Sequence, residues 1–278
     1  MKKVLVRLAS LLFPNRVVKF AFNQLSNPQV RKLRGHEVAV LEKSTKETLA
    51  FKTHSIQCYR WGDGAERVLL VHGWEGQAGN FSDFIAPLLS KGYTVYAFDA
   101  PSHGYSSRGN TNLFEFTELV GLMIQKYRVT KLISHSFGGV AVTYALYENR
   151  DLSLKKYVLL TVPDKFSQRI DDVCEQIGIT PKVKAKLIQH IGNQTQLDLT
   201  TTNVSFFVKN INVDHALIIH DKNDKVIPIE RSKNVHHQWA NSEFQEITDT
   251  GHFRILRTPA VVDRTINFLI TTASNTNC

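Results

Sequence analysis

The sequence contains few cysteines and lacks any apolar run long enough to cross a membrane. Its three cysteines, Cys58, Cys174 and Cys278, are widely spaced and form no CxxC pair. Neither a disulfide framework nor a zinc site is therefore predicted, and this cysteine usage favours a reducing, cytoplasmic compartment. Because no window approaches the roughly 18 uninterrupted apolar residues of a membrane span, we expect no transmembrane helix.

Acidic residues are missing from the start of the chain. The net charge is +9, and eight cations precede the first acidic residue, Glu37, so the remainder carries only 9 − 8 = +1. A nearly neutral body argues against nucleic acid as a partner. The eight cations are Lys2, Lys3, Arg7, Arg16, Lys19, Arg31, Lys32 and Arg34.

The same basic segment carries two sets of apolar residues at helical spacing. Arg7 interrupts the opening apolar stretch and no small-x-small cleavage site follows, so a secretory signal is disfavoured. Two interpretations stay open for residues 1–26: contact with an anionic membrane at its inner face, or packing on the body of the protein. The chain is accordingly divided into a basic amphipathic segment, residues 1–36, and a domain, residues 37–278. The two apolar sets are Val4, Leu8, Leu11, Leu12 and Val18, Ala21, Phe22, Leu25.

From Ala65 onward, β-branched runs alternate with stretches of helical spacing. This alternation predicts an α/β fold with a mostly parallel sheet flanked by helices. Residues 47–55 and 56–61 add a hairpin at one edge, which brings the total to about eight strands. The remaining strands are expected at 67–73, 93–101, 129–136, 155–163, 214–221 and 243–248.

The alternation is interrupted between the sixth and seventh strands. Residues 164–211 contain two short amphipathic helices, the first ending before Gly178 and the second starting near Pro181 and closing at Gly192. This insertion after the sixth strand predicts a small helical cap or lid.

The string SHSFGG at residues 134–139 lies where a strand becomes a helix. A nucleophile on such a sharp turn requires small residues two positions before and after it, and Ser134 and Gly138 satisfy this requirement around Ser136. Glycine is usual at the first position, so Ser134 is a departure. His135 is expected to point away from the site because the chain turns there. The pattern predicts a nucleophilic serine, and the alternative is an ordinary serine in a turn.

A serine hydroxyl must pass its proton to a base that an acid orients. Asp224 follows the seventh strand and His252 follows the eighth, so both lie at the same edge of the sheet as Ser136. Asp224 is preferred as the acid because Asp221 still belongs to the strand, and Asp221 is the alternative. The chain order Ser136, Asp224, His252 is that of an α/β-hydrolase triad.

Two further motifs resemble those of this family. LLVHGWEG at 69–76 is similar to its His-Gly motif, and AFDAPSHGYSS at 97–107 to its Asp-x-Pro-x-His-Gly-x-Ser motif. Over residues 55–272 the chain therefore resembles an α/β-hydrolase-fold serine hydrolase of the esterase or lysophospholipase type. The resemblance implies that the backbone N–H groups of Trp74 and Phe137 form the oxyanion hole. His72, Asp99 and His103 are expected to shape loops rather than to react.

These features predict hydrolysis of a carboxylic ester, with an apolar or lipid-like acyl group, through an acyl-enzyme on Ser136. No cofactor or metal is expected, and the partner is a small ester or acyl substrate. The same triad also serves thioesterases, amidases and carbon–carbon bond hydrolases, so these remain alternatives. A binding protein that kept the fold without turnover is a lesser alternative. Neither the natural substrate nor the oligomeric state follows from the sequence.

Overall fold

The computed structural model describes residues 2–30, 32–195 and 202–271 of the 278-residue chain. Residues 1 and 31 of the N-terminal segment, 196–201 of the predicted cap, and 272–278 at the end, including Cys278, lie outside the described residues. In the described ranges, three 3-10 turns accompany the helices and strands, at Ala78–Phe81, Val208–Asn210 and Ile255–Arg257. The α-helices and strands are α1 (Lys2–Leu12), α2 (Pro14–Ser26), α3 (Gly35–Glu42), β1 (Thr45–Phe51), β2 (His54–Trp61), β3 (Glu66–Val71), α4 (Ser82–Ser90), β4 (Tyr93–Phe98), α5 (Leu113–Tyr127), β5 (Lys131–His135), α6 (Phe137–Glu148), β6 (Ser153–Leu160), α7 (Phe166–Ile177), α8 (Pro181–Thr195), α9 (Val204–Phe207), β7 (Asn212–Asp221), α10 (Ile229–His237), β8 (Ser242–Ile247), α11 (Gly251–Arg254) and α12 (Pro259–Ile270).

The eight strands of the described residues form one sheet in the order β1-β2-β4-β3-β5-β6-β7-β8. Strands β3 to β8 run parallel, while β1 pairs antiparallel with β2 and β2 with β4. The predicted α/β-hydrolase fold, including the edge hairpin, is confirmed. The carboxyl ends of β5, β7 and β8 lie at one edge, where a parallel sheet generally carries its ligand site.

Helices cover both faces of the sheet, which explains why the central parallel strands β3, β4 and β5 carry runs of buried apolar residues, whereas the edge strand β8 is more polar. Neighbouring strand residues alternate between two apolar clusters: Leu132 packs on the side of α5 and α6, and Ile133 on the side of α4 and α12. Successive strand residues thus bury their side chains on opposite faces of the sheet. Burying one leucine or isoleucine side chain stabilises the folded state by about 1.5–3 kcal/mol.

Helices α7, α8 and α9 are inserted between β6 and β7, where the sequence predicts the cap. Gly178 ends α7 with φ 85°, a conformation that favours glycine. Helix α8 continues to Thr195, so the predicted end at Gly192 is wrong. A single glycine inside a helix costs only about 1 kcal/mol, which is too little to stop a helix held by tertiary contacts.

The N-terminal helices pack on this cap. Val17, Val18 and Ala21 of α2 are buried in a third apolar cluster with residues of α7 and α8, among them Ile170 and Leu187.

Helix α3 is not anticipated from the sequence, because eight residues are too few to show a clear helical period. No helix in the described parts of the chain is long and apolar enough to cross a membrane.

Candidate active site

Ser136 occupies a strained turn between β5 and α6. Its backbone has φ 52° and ψ −123°, and its N–H donates to the carbonyl oxygen of Leu160 at 2.9 Å. A non-glycine residue at positive φ costs of order 1–3 kcal/mol, and such strain concentrates at functional sites. The turn holds the hydroxyl at the carboxyl edge of the sheet, as the sequence pattern predicts.

The residues two positions from Ser136 explain how the turn is accommodated. A Cβ atom on Gly138 would lie 2.5 Å from the carbonyl oxygen of His72, so no side chain fits there. Ser134 is fully buried, and its hydroxyl lies 2.8 Å from that of Tyr157. The unusual serine is therefore paired with a buried tyrosine that a glycine would leave with only a 3.4 Å contact to the Gly139 carbonyl.

Loss of the hydrogen bond between Ser134 and Tyr157 is expected to reduce stability but not catalytic activity. Replacing Ser134 by alanine is expected to lower the free energy of unfolding by about 1–3 kcal/mol, because the Tyr157 hydroxyl loses its short hydrogen bond. The double variant Ser134→Ala/Tyr157→Phe removes both partners and should be closer to wild type than Ser134→Ala alone. Urea denaturation measures all three proteins. A double variant that is destabilised as much as Ser134→Ala, or more, would contradict the pairing.

Ser136, His252 and Asp224 lie in hydrogen-bond contact. Nε2 of His252 lies 3.1 Å from Oγ of Ser136, and Nδ1 lies 2.8 Å from Oδ2 of Asp224. Since a carboxylate only accepts, Nδ1 carries the proton and donates to Asp224, which leaves Nε2 free to accept the serine proton. The structure thus brings together all three residues that the sequence nominates, in the geometry of a nucleophile, base and orienting acid.

The Asp224 carboxylate is fixed from several directions. Its Oδ1 accepts the N–H groups of Val226 at 2.7 Å and Ile227 at 2.9 Å, and Nε2 of His220 lies 3.5 Å from Oδ2. Burial alone raises the pKa of Asp224, but hydrogen bonding to His220 and His252 outweighs it and holds this pKa well below its usual range. The carboxylate is therefore ionised at neutral pH.

Asp221, the alternative acid, serves a different purpose. Its Oδ2 accepts the Gly251 N–H at 2.6 Å and the Thr250 hydroxyl at 2.9 Å, while Oδ1 accepts the Asn223 N–H. These bonds tie the end of β7 to the loop that carries His252. Between the two aspartates, the geometry favours Asp224 as the partner of the imidazole.

His135 does not point away from the site, and that expectation is wrong. Its Nε2 lies 2.8 Å from the backbone oxygen of His252, and the two rings are 4.8 Å apart. Burial, together with the neighbouring His252, lowers the pKa of His135 to about 3, so the ring is neutral. Because its partner is a carbonyl, Nε2 is the protonated nitrogen and donates. His135 thereby holds the backbone of His252, a contact that no spacing in the sequence reveals.

Trp74 and Phe137 lie side by side next to Ser136, with ring centroids 5.3 Å apart. Phe137 begins α6, so its N–H is at the positive end of the helix dipole. Within the described residues neither the Trp74 N–H nor the Phe137 N–H donates a hydrogen bond. Unpaired backbone donors of this kind are rare away from solvent or ligands, and they suit a developing oxyanion.

The expected loop-shaping residues join the loops after β3 and β4. Nε2 of His72 accepts the Ala100 N–H at 3.0 Å, and its Nδ1 donates to the Gly73 carbonyl at 2.7 Å. Asp99 accepts the Ala78 and Tyr105 N–H groups, each at 2.8 Å. These side chains fix the loop that bears Trp74 and do not contact Ser136.

A cavity of about 320 Å³ lies over Ser136 and His252. Apolar side chains form most of its wall, many of them from the cap, α5 and α2. Three cations, Lys165, Arg169 and Arg231, and two carboxylates, Glu75 and Asp172, form its charged part. Arg231 is paired with Asp172 through two hydrogen bonds of 2.7 and 3.0 Å, which ties α10 to the cap. The apolar wall includes Phe22, Leu25, Leu113, Phe114, Val140, Phe166, Ile170, Val173 and Ile191.

The contribution of α2 to this wall cannot be recognised from the sequence. The spacing of Phe22 and Leu25 indicates an apolar helix face, but not that this face meets the cavity.

In the described ranges no group of three or more His, Cys, Asp or Glu side chains could hold a metal ion.

Comparison with known proteins agrees with this architecture. The sequence profile of a family described as alpha/beta hydrolase fold matches residues 66–217. An uncharacterized hydrolase of Bacillus subtilis is 23% identical over 231 residues, which cover 68% of this chain and 84% of that protein. The acetyltransferase component of the acetoin cleaving system of Cupriavidus necator is 36% identical over 84 residues, but these are only 29% of this chain and 22% of that protein. A probable serine hydrolase of Drosophila melanogaster is 29% identical over 112 residues, 37% of this chain and 33% of that protein.

Solved structures share the fold at low identity. An esterase from Exiguobacterium antarcticum has a TM-score of 0.64 and 17% identity. The match covers 82% of this chain and 100% of the esterase. An esterase from Butyrivibrio proteoclasticus, solved with ferulic acid, has a TM-score of 0.63 and 17% identity, covering 81% of this chain and 100% of that one. At these identities the likeness extends to the fold.

Proposed function

Because the chain belongs to the alpha/beta hydrolase family, we propose that it is a serine hydrolase that cleaves carboxylic esters through an acyl-enzyme on Ser136. One observation carries the proposal: Ser136 Oγ, both nitrogens of His252 and Asp224 Oδ2 form a continuous hydrogen-bonded chain with distances of 3.1 and 2.8 Å. In that arrangement the imidazole can take the serine proton while the carboxylate stabilises the resulting charge.

The proposed reaction has two balanced halves. Ser136 Oγ attacks the ester carbonyl while its proton passes to Nε2 of His252, and the Trp74 and Phe137 N–H groups stabilise the oxyanion. Collapse of this intermediate breaks the carbonyl–alkoxy bond, and His252 gives the proton to the departing alcohol. Water then attacks the acyl-serine with His252 as base, releasing the acid and restoring the serine hydroxyl. A single oxyanion donor is typically worth about 2.7–4 kcal/mol.

An apolar acyl group is the proposed substrate portion. Phe114, Val140 and Phe166 are among the apolar side chains that surround Ser136, and such a wall favours a hydrocarbon over a polar chain. Lys165 and Arg169 share the cavity with the carboxylates of Glu75 and Asp172, so its charged part suits a polar end of the substrate. The two esterases whose solved structures share this fold are consistent with this class of substrate.

The proposal is tested by covalent labelling and by turnover together. A fluorophosphonate probe is expected to modify Ser136, located by peptide mass spectrometry, and the protein is expected to hydrolyse p-nitrophenyl butyrate or octanoate faster than acetate. Ser134→Ala is the matched control, because it removes a serine hydroxyl two residues away and should still be labelled.

Two results would change the assignment. Faster cleavage of a thioester than of the oxoester with the same acyl chain would make the protein a thioesterase. An unlabelled Ser136 with no turnover of any acyl substrate would support the binding-protein alternative instead.

A further inference from the structure

Helix α1 presents a continuous apolar face to solvent. Seven of the fourteen large apolar side chains that are exposed in the described residues lie between Val4 and Phe20. With about 100° per helical residue, the five on α1 fall within an arc of about 120°. Leu11 is 73% exposed and Leu12 is 70% exposed, so the arc is not covered by the rest of the chain. The seven are Val4, Leu5, Leu8, Leu11, Leu12, Phe13 and Phe20.

The opposite side of α1 is fixed on the cap. Val6 and Ala9 pack against the apolar cluster formed by α2, α7 and α8. The backbone of Lys3 lies so close to Gly178 that a Cβ there would be 2.8 Å from the Lys3 carbonyl oxygen. The helix is thus held in one orientation, and the outward direction of its leucines is set by packing. Of the two apolar sets in the N-terminal segment, the set on α2 is covered and the set on α1 is not.

Positive charge accompanies the exposed face. Lys3 and Arg7 are exposed and flank one edge of the arc, and the guanidinium of Arg16 lies 5.5 Å from the ring of Phe13. Residues 1–36 contain eight cations and no acidic residue. An apolar helix face bordered by cations is the arrangement by which interfacial helices bind anionic bilayers.

We propose that α1 is an interfacial anchor that lies in the headgroup region of an anionic lipid bilayer. Its leucines enter the acyl boundary, and its lysine and arginine side chains pair with lipid phosphates. Charge decides against a second copy of this chain as the occupant, because pairing two such faces would bring two sets of eight cations together.

The anchor adjoins the wall of the active-site cavity. Phe13 alone separates α1 from α2, and Phe22 and Leu25 of α2 line the cavity over Ser136. In a part of the inference that rests on the proposed function, the bound enzyme takes its long-chain acyl esters from the membrane to which α1 is anchored.

Vesicle flotation of the full chain tests the anchor. We expect the wild type to float with vesicles of phosphatidylcholine and phosphatidylglycerol, and to stay unbound with pure phosphatidylcholine. The variant Leu5→Ser/Leu8→Ser/Leu12→Ser should lose binding roughly tenfold or more, because its apolar face no longer enters the acyl boundary. Lys3→Gln/Arg7→Gln should bind more weakly, and added salt should weaken wild-type binding.

Matched controls place the effect on α1. Leu122→Ser/Ile270→Ser removes two other exposed apolar side chains, and Lys91→Gln/Lys209→Gln two other exposed cations, so both should float like wild type. A wild type that stays unbound with anionic vesicles would overturn the proposal, as would a triple-serine variant that floats equally well. A dimer in analytical ultracentrifugation that the triple-serine change dissociates would also overturn it, in favour of a second copy.

The membrane anchor and the proposed esterase activity can be tested independently of each other. Ser136→Ala should float like wild type, and the triple-serine variant should hydrolyse soluble p-nitrophenyl butyrate at the wild-type rate. Flotation without esterase activity would therefore contradict the proposed function and leave the anchor intact. Esterase activity without flotation would contradict the anchor alone.

Discussion

Replacing Ser136 by alanine is expected to reduce kcat for p-nitrophenyl butyrate by roughly 10⁴- to 10⁶-fold. The hydroxyl is the only group placed 3.1 Å from Nε2 of His252 to act as the attacking atom in the described site. Without it no acyl-enzyme forms, and only binding and the oxyanion donors remain to assist attack by water. Steady-state hydrolysis and fluorophosphonate labelling measure the loss, and labelling should disappear completely.

Melting temperatures distinguish a loss of catalysis from a loss of folding in the Ser136 variants. Alanine keeps the strain of φ 52° at this position, so Ser136→Ala should melt close to wild type, whereas Ser136→Gly should melt higher. Both variants should be equally inactive. A Ser136→Gly protein that is more stable and still hydrolyses the ester at the wild-type rate would show that Ser136 is not the nucleophile.

The positions of Ser136, Asp224 and His252 could be predicted because each follows a predicted strand, strongly apolar before Ser136 and Asp224 and more polar before His252. In a parallel sheet the carboxyl ends of strands share one edge, so local patterns along the chain translate directly into proximity. The cap is predictable for the same reason, as a break in the alternation of strands and helices. What these features have in common is that they depend on sequence-local information.

The contacts that escaped prediction are tertiary. The rings of His135 and His252 meet across 117 residues of sequence, and no local pattern encodes that approach. Helices α1 and α2 have the same apolar periodicity, yet Val18 of α2 is buried and Leu8 of α1 is exposed. Periodicity shows that a helix has an apolar face, but the surface available on the cap decides which face is covered.

Replacing Asp224 by asparagine is expected to lower kcat roughly 10³- to 10⁴-fold at neutral pH, with little change in KM. The Asn amide would offer an N–H to Nδ1 of His252 and so favour the tautomer with its proton on Nε2. That nitrogen, 3.1 Å from Ser136, could then no longer accept the serine proton. Asp224→Asn also removes the buried negative charge that stabilises the imidazolium. Kinetics with a soluble ester measure the loss.

Asp221→Asn is the matched control, because Asp221 is also buried and only three residues away. Its carboxylate accepts from Thr250, Gly251 and Asn223 and does not touch His252, so its loss should reduce thermal stability more than kcat. Asp224→Asn should show the reverse, a large loss of kcat with a smaller change in melting temperature. If Asp221→Asn instead reduced kcat as much as Asp224→Asn while both remained folded, Asp224 would not be the orienting acid and the proton path through His252 would need another partner.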